Sequence, residues 1–252
     1  AISADVPYSS LQSNVRSIRR EPLSARIELN ERAIQDFREQ MPDVDMDQSD
    51  GKVQLSGNIT GLIEDLKISA NGKFSSTKFV AKNLDTELRN LDIEYAQDDR
   101  KARLTARGES GKGGLFDFDV TGNLADVFGS DFSVDELLDD STLKGSLKFD
   151  HFAWSQKLPG SLLPTLARVD GAFLVDGKLR TPIISGGVTL DQVLLNLPNE
   201  IISSVGGGFS IDPVMKNVTV SVAQGSKIET GIGALSVSGI GVLNGSLSEP
   251  DF

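Results

Sequence analysis

The chain has 252 residues, a net charge of −11 and a sequence pI near 4.6, a balance that argues against nucleic acid and against an anionic membrane surface as partners. It has no Cys, which excludes disulfides and thiolate metal sites without fixing a compartment, and no apolar stretch approaches a membrane span. With aromatics at 6% and 25 Gly, it is a lean, glycine-rich chain, long enough for one large or two ordinary domains.

The first residues, Ala1-Ile2-Ser3-Ala4-Asp5, lack both an initiator Met and signal-peptide anatomy, so the chain reads as a processed or excised piece. Asn30 is placed to cap a short helix near 31–41 whose Ile34, Phe37 and Met41 share a face, with Pro42 as its stop. The acidic run Asp43–Gly51 has the flavour of a calcium loop. It lacks the Gly that an EF-hand needs where Gln48 stands and the Glu needed where Gln54 stands, and reads as a solvated loop.

From there the pattern is β. Apolar residues alternate with polar ones through Leu66-Lys-Ile68-Ser-Ala70, Leu91-Asp-Ile93-Glu-Tyr95, Phe116-Asp-Phe118-Asp-Val120, Leu147-Lys-Phe149, Val188-Thr-Leu190, Val218-Thr-Val220-Ser-Val222 and Leu235-Ser-Val237. Each such segment buries one face and wets the other. Turn signals at Ala70-Asn71-Gly72, Gln97-Asp98-Asp99, Ser110–Gly114 and Asp212-Pro213 predict short hairpin connections and hence antiparallel pairing. Strands of about eight or nine residues, turns included, predict very roughly twenty strands.

A glycine cadence runs through this alternation. Leu55-Ser-Gly57-Asn-Ile59, Val120-Thr-Gly122-Asn-Leu124, Leu143-Lys-Gly145-Ser-Leu147, Val175-Asp-Gly177-Lys-Leu179 and Leu243-Asn-Gly245-Ser-Leu247 each set a bare glycine between two apolar residues. Ala70-Asn-Gly72-Lys-Phe74 and Val169-Asp-Gly171-Ala-Phe173 are looser copies. Residues two apart share a face, so the glycine marks a bend, a bulge or a close backbone approach, and its recurrence predicts a curling sheet.

Other candidate motifs dissolve on inspection. Gly108–Gly114 resembles a phosphate loop, but Ala106 stands where the first glycine belongs and Gly113 follows Lys112; a hairpin tip is expected. Phe132–Leu138 predicts a second helix, whose acids at Asp131, Asp135, Glu136, Asp139 and Asp140 read as a wet face. His151 is the only histidine, and no nucleophile elbow accompanies it; it is expected at the surface or rim. Trp154, beside Phe152, anchors either a groove-side turn or ordinary packing, and Ser161–Pro164 supplies at most one helical turn. Gly206-Gly207-Gly208 reads as a flexible tip or a bulge, and Gly231–Ser236 lacks the helix that a dinucleotide fingerprint requires. A division into 1–140 and 141–252 follows from the repeated order of short helix, proline stop and strand cluster, with both portions sharing one groove.

The phrase Val175-Asp-Gly-Lys-Leu-Arg-Thr-Pro182-Ile-Ile-Ser-Gly186-Gly-Val-Thr-Leu190, which Leu163-Pro164 and Val169-Asp-Gly171-Ala-Phe173 precede, resembles the repeat of TamB-like proteins in the AsmA-like superfamily. Leu243-Asn-Gly245-Ser-Leu247-Ser-Glu-Pro250 opens the same phrase again. The resemblance is best over the C-terminal hundred residues and looser from Leu29 through Phe74, where the proline is missing after Gly72. It carries no catalytic residue. It implies an all-β, long curled antiparallel sheet, a β-taco or open groove with an apolar inner face, within a periplasmic part of an inner-membrane-anchored envelope protein. It further implies phospholipid transport between the inner and outer membranes, and outer-membrane protein assembly with an outer-membrane barrel protein.

The expected function is accordingly non-enzymatic, without cofactor or metal: a groove that carries phospholipid acyl chains. Its lining is expected at Leu66, Ile68, Phe74, Leu91, Ile93, Phe116, Phe118, Val120, Leu147, Phe149, Val188, Leu190, Val218, Val220, Val222, Leu235 and Val237. Lys73, Glu94, Asp117, Lys148 and Thr219 are expected on the opposite, wet face. A scaffold or chaperone for outer-membrane protein assembly is the alternative on the same groove. A secreted β-solenoid adhesin is a second alternative, which should show stricter short rungs.

Overall fold

The computed structural model describes residues 2–5, 22–62, 65–82, 86–125, 134–156, 165–196, 200–212, 217–230, 233–246 and 249–251. They form one antiparallel sheet of 14 strands in which every strand pairs with its neighbours in sequence. The strands are β1 (Ile2–Asp5), β2 (Leu23–Ala33), β3 (Lys52–Leu62), β4 (Asp65–Val80), β5 (Glu87–Asp98), β6 (Lys101–Ser110) and β7 (Leu115–Asn123). There follow β8 (Thr142–Gln156), β9 (Thr165–Lys178), β10 (Pro182–Asn196), β11 (Glu200–Asp212), β12 (Asn217–Thr230), β13 (Gly233–Ser246) and β14 (Glu249–Asp251). At about 4.8 Å per strand the sheet extends roughly 60 Å across its strands.

The strands are fewer and longer than the sequence predicts, and one expected turn lies inside a strand. Ala70-Asn71-Gly72, expected as a turn, sits in the middle of the 16-residue β4, with Gly72 opposite Leu55 and Tyr95. Polar Asn71 and small Gly72 satisfied the turn pattern, but long strands on both sides hold this stretch extended. Connections at Asp99–Arg100 and Gly111–Gly114 match their turn signals, and a register shift between Ser203 and Gly207 places an irregularity beside the triple glycine.

Register aligns the faces across the sheet. Val53, Phe74, Ile93, Ala106, Phe118, Leu147, Phe173, Gly186, Ile211 and Val218 are successive cross-strand partners from β3 to β12. Directly opposed residues point the same way, so this apolar row lies on one face. A second row, two residues along each strand, runs Leu29, Leu55, Gly72, Tyr95, Leu104, Val120, Gly145, Val175 and Ile184. The opposite face of the central strands is charged. Lys73 faces Glu94 with 2.9 Å between the charged atoms, and Arg107 faces Asp117 at 3.1 Å.

Large residues and glycines alternate across the apolar face. Phe116 lies opposite Gly108, Phe149 opposite Gly171, and Phe173 opposite Gly186, so each ring has a neighbour that takes no room. At Gly186 the absence of a side chain is mandatory. Its φ is +106°, and a Cβ there would lie 2.3 Å from the Ala172 carbonyl oxygen.

The sheet bends sharply at β8. A register shift between Phe149 and Phe152, with His151 at φ +49°, turns the upper half of this strand across the end of β7. The Ala153 N–H donates to the Gly113 carbonyl (3.0 Å) and the Ser110 hydroxyl donates to the Ala153 carbonyl (2.6 Å). Thr86, at the start of β5, donates to the Ser155 carbonyl (2.9 Å) and accepts from its N–H (2.6 Å). In a flat sheet β5 and β8 would be about 14 Å apart, so these bonds require curling. The apolar face is inside the bend, where Phe152 meets Phe116 edge-on at 5.7 Å and Phe149 at the same distance.

The expected helix near 31–41 is replaced by the tail of β2 and a 3₁₀ turn, Ile34–Phe37. Its apolar spacing serves a different packing. Ile34, fully buried, joins Val44 and Met46 in a plug against Met41, Val53, Phe74 and Phe79 at one end of the apolar face. The second predicted helix is present as α1, Val134–Asp140. Its wet face is more engaged than expected: the Arg180 guanidinium binds Asp139 at 3.0 Å and also pairs with Asp135. The predicted turn at 161–164 lies outside the described residues. The chain leaves the sheet near residue 140 only locally, since β7 and β8 pair directly from Leu115–Asp150 to Asn123–Thr142.

Candidate functional site: an uncharged apolar face

The expected lining residues can now be placed. Leu66, Ile68 and Phe74 share a face of β4, as do Leu91 and Ile93 on β5, Phe116, Phe118 and Val120 on β7, and Leu147 and Phe149 on β8. Cross-strand pairing links Ile68 to Ile59, Phe74 to Ile93, Phe118 to Leu147 and Phe116 to Phe149. Val188 and Leu190 of β10 continue it, as do Val218, Val220 and Val222 of β12. On β13, Gly239 opposite Val222 sets the phase that puts Leu235 on this face. Val237 stands opposite Ser226 in the backbone register, and its side chain lies outside the described ones. Lys73, Glu94, Asp117, Lys148 and Thr219 fall on the other face.

From β3 to β12 no described position along these rows carries Asp, Glu, Lys, Arg or His, while on β2 Arg32 stands opposite Val53. Apart from the plug of Ile34, Val44 and Met46 at one end, no second layer of described residues lies over them. Only seven hydrophobic residues are buried among the described residues: Ile34, Val44, Met46, Leu91, Phe152, Ala167 and Val218. Leu55, Leu104, Ile184, Val220 and Leu235 stay 36–65% exposed on the apolar face. The accessible surface of the chain is 16247 Å², against about 11,000 Å² for a compact protein of this mass.

Sequence alternation did not reveal that the opposite face changes character. From β4 to β8 it is charged, whereas on β9, β10 and β13 it also carries Leu174, Ile183, Ile240 and Val242, each at least half exposed, beside Arg168, Asp170 and Asp176 of β9. Two polar residues inside the apolar face also escaped the pattern, because Tyr95 and Gln97 keep the strand period. The Tyr95 hydroxyl donates to Gln97 Oε1 (2.6 Å), and Gln97 Nε2 donates to the Asp99 carbonyl (2.9 Å). Desolvation raises the Tyr95 pKa, so its proton stays in place.

Two polar clusters stand out elsewhere among the described residues. Asp50 accepts from the Thr77 and Lys78 N–H groups (2.7 and 3.1 Å) and from the Ser76 and Thr77 hydroxyls. The Thr77 hydroxyl contributes most to holding its carboxyl below the usual range. His151 is exposed, with Nδ1 2.7 Å from Asp150 and 3.2 Å from Asp170, and the hydrogen bond to Asp150, then the charge of Asp170, raises its pKa. These three residues are the one set of metal-ligating atoms within 4.8 Å of one another among the described residues. At the β8 bulge His151 Nδ1 meets one oxygen of each carboxylate, and the His151 N–H donates to Asp170 (2.5 Å).

No helix among the described residues is long and apolar enough to cross a membrane. Comparisons of the chain with family models, with characterised proteins and with solved structures give no match.

Proposed function

We propose that this protein is a non-enzymatic conduit whose apolar face carries the acyl chains of phospholipids through the periplasm, between inner and outer membranes. The observation that carries this reading is the continuous uncharged face spanning β3 to β12, which the described residues cover only at the Ile34–Met46 plug. An apolar face that crosses ten strands and leaves Leu55, Leu104, Ile184, Val220 and Leu235 exposed to solvent calls for an apolar occupant. The resemblance to TamB-like proteins of the AsmA-like superfamily supports the same reading and supplies the envelope setting.

The physical mechanism is passive. Moving an acyl chain into water costs about 0.8 kcal/mol per methylene, so a sixteen-carbon chain faces a barrier on the order of 10 kcal/mol. An apolar face removes most of that barrier, and because a bilayer offers the same relief, transfer between the two is nearly neutral. Lipid can therefore move without being trapped. Head groups stay in water beyond the strand ends.

Native mass spectrometry of gently purified protein tests this. Co-purified phospholipid is expected on the wild type and much less on Phe118→Asp or Leu190→Asp, each of which sets an unpaired charge in the path. Asp117→Lys, on the opposite face, should keep its lipid. Lipid-free wild type, or equal lipid on all variants, contradicts the reading.

A further inference from the structure

We propose that Gln97, oriented by Tyr95, is an ester-recognition site that fixes how a phospholipid lies in the groove: glycerol esters at the Asp99–Arg100 end of the strands, chains running along β5 and its neighbours. This inference rests on the acyl-chain reading and adds to it a position and a chemical preference.

The Tyr95–Gln97 pair is an exception on a face whose neighbouring positions are apolar or glycine. Gln97 has two N–H donors. One goes to the Asp99 carbonyl, while the Tyr95 hydroxyl occupies a lone pair of the amide oxygen. These two bonds fix which way the amide points and leave its second N–H for another acceptor. Gln97 also stands where there is room. Its cross-strand neighbours are Ala70 and Ala102, and beyond them in the same row lie Gly57 and Gly122. An ester carbonyl is an acceptor without charge, which suits a donor set in a face that excludes charge.

Length agrees. From Gln97 to Ile93 along β5 is about 14 Å, and the hydrocarbon of one bilayer leaflet is about 15 Å deep. Chains whose esters rest at Gln97 thus run to the row of Ile93, Phe118 and Leu147, one step before Phe116 and Phe149, and the head group projects past the strand ends into water.

A competition between two phosphatidylethanolamines of equal chain length, one diacyl (ester) and one dialkyl (ether), isolates the carbonyl. Native mass spectrometry of wild type exposed to an equimolar mixture should show the ester lipid favoured about five-fold, the worth of one hydrogen bond. Gln97→Leu should bring the ratio to one by lowering the ester lipid to the level of the ether lipid, whose binding stays unchanged, and Tyr95→Phe, which keeps the ring but frees the amide, should lower the ratio part-way. Equal binding of the two lipids by wild type, or a preference retained in Gln97→Leu, overturns the inference and leaves the conduit reading standing. Binding of neither lipid overturns both.

Discussion

At the scale of single residues, the glycines divide into those that tune packing and those that geometry forbids to change. Gly186 belongs to the second kind, with φ +106° and a carbonyl where its Cβ would go, so Gly186→Ala should cost more than about 1–2 kcal/mol in urea unfolding. Gly57→Ala is the contrast, since its Cβ would find only ordinary contact, 3.6 Å from the Ser69 oxygen; it should be neutral within about 0.5 kcal/mol. Equal losses would contradict the close-approach account. Asp50 offers a test by pH. Its carboxyl is held below the usual value in the folded state, so its stabilisation is complete above the ordinary aspartate pKa of about 3.9 and is lost as pH falls through the lower, folded value. Wild type should therefore exceed Asp50→Asn in unfolding free energy at pH 7 by about 1 kcal/mol, as suits a largely exposed group, with the gap closing toward pH 2 in urea unfolding. A gap independent of pH would show that the charge does not matter.

At the scale of elements, the joint between β8 and β5 is the feature that turns a sheet into a curl. Thr86→Val removes a hydroxyl that both donates to and accepts from the buried Ser155 backbone, and should destabilise by about 1–3 kcal/mol in chemical denaturation. A change below about 0.5 kcal/mol would mean the joint contributes little. The sequence made the strand phase legible: Phe74, Ile93, Phe118 and Leu147 are read off period-2 alternation and emerge as one cross-strand row. Strand length was not legible, because Asn71-Gly72 has turn chemistry and only pairing with β3 and β5 keeps it extended. Ile34, Phe37 and Met41 mimicked helical spacing while serving a 3₁₀ turn and a folded loop, since apolar residues gathered over a sheet end need no fixed period. The bend of β8 left no local mark, as bonds between residues 69 apart are tertiary. The polar pair within the face was invisible for a simpler reason: Tyr95 and Gln97 alternate just as apolar residues would.

At the scale of the whole molecule, the two faces of one sheet differ between β3 and β12: one is without charge and, among the described residues, covered only at the Ile34–Met46 plug, the other is salt-bridged over its central strands. A β-sandwich would resolve that asymmetry by laying a second sheet on the first, and here a single meander leaves it open. Function follows from the occupant the open face selects. The most direct measurement is crosslinking in cells, with a photo-reactive residue placed in turn at Phe118, Leu190 and Asp117. Phospholipid adducts at Phe118 and Leu190 with none at Asp117 are the predicted result; equal labelling at all three, or none on the apolar face, would contradict the conduit.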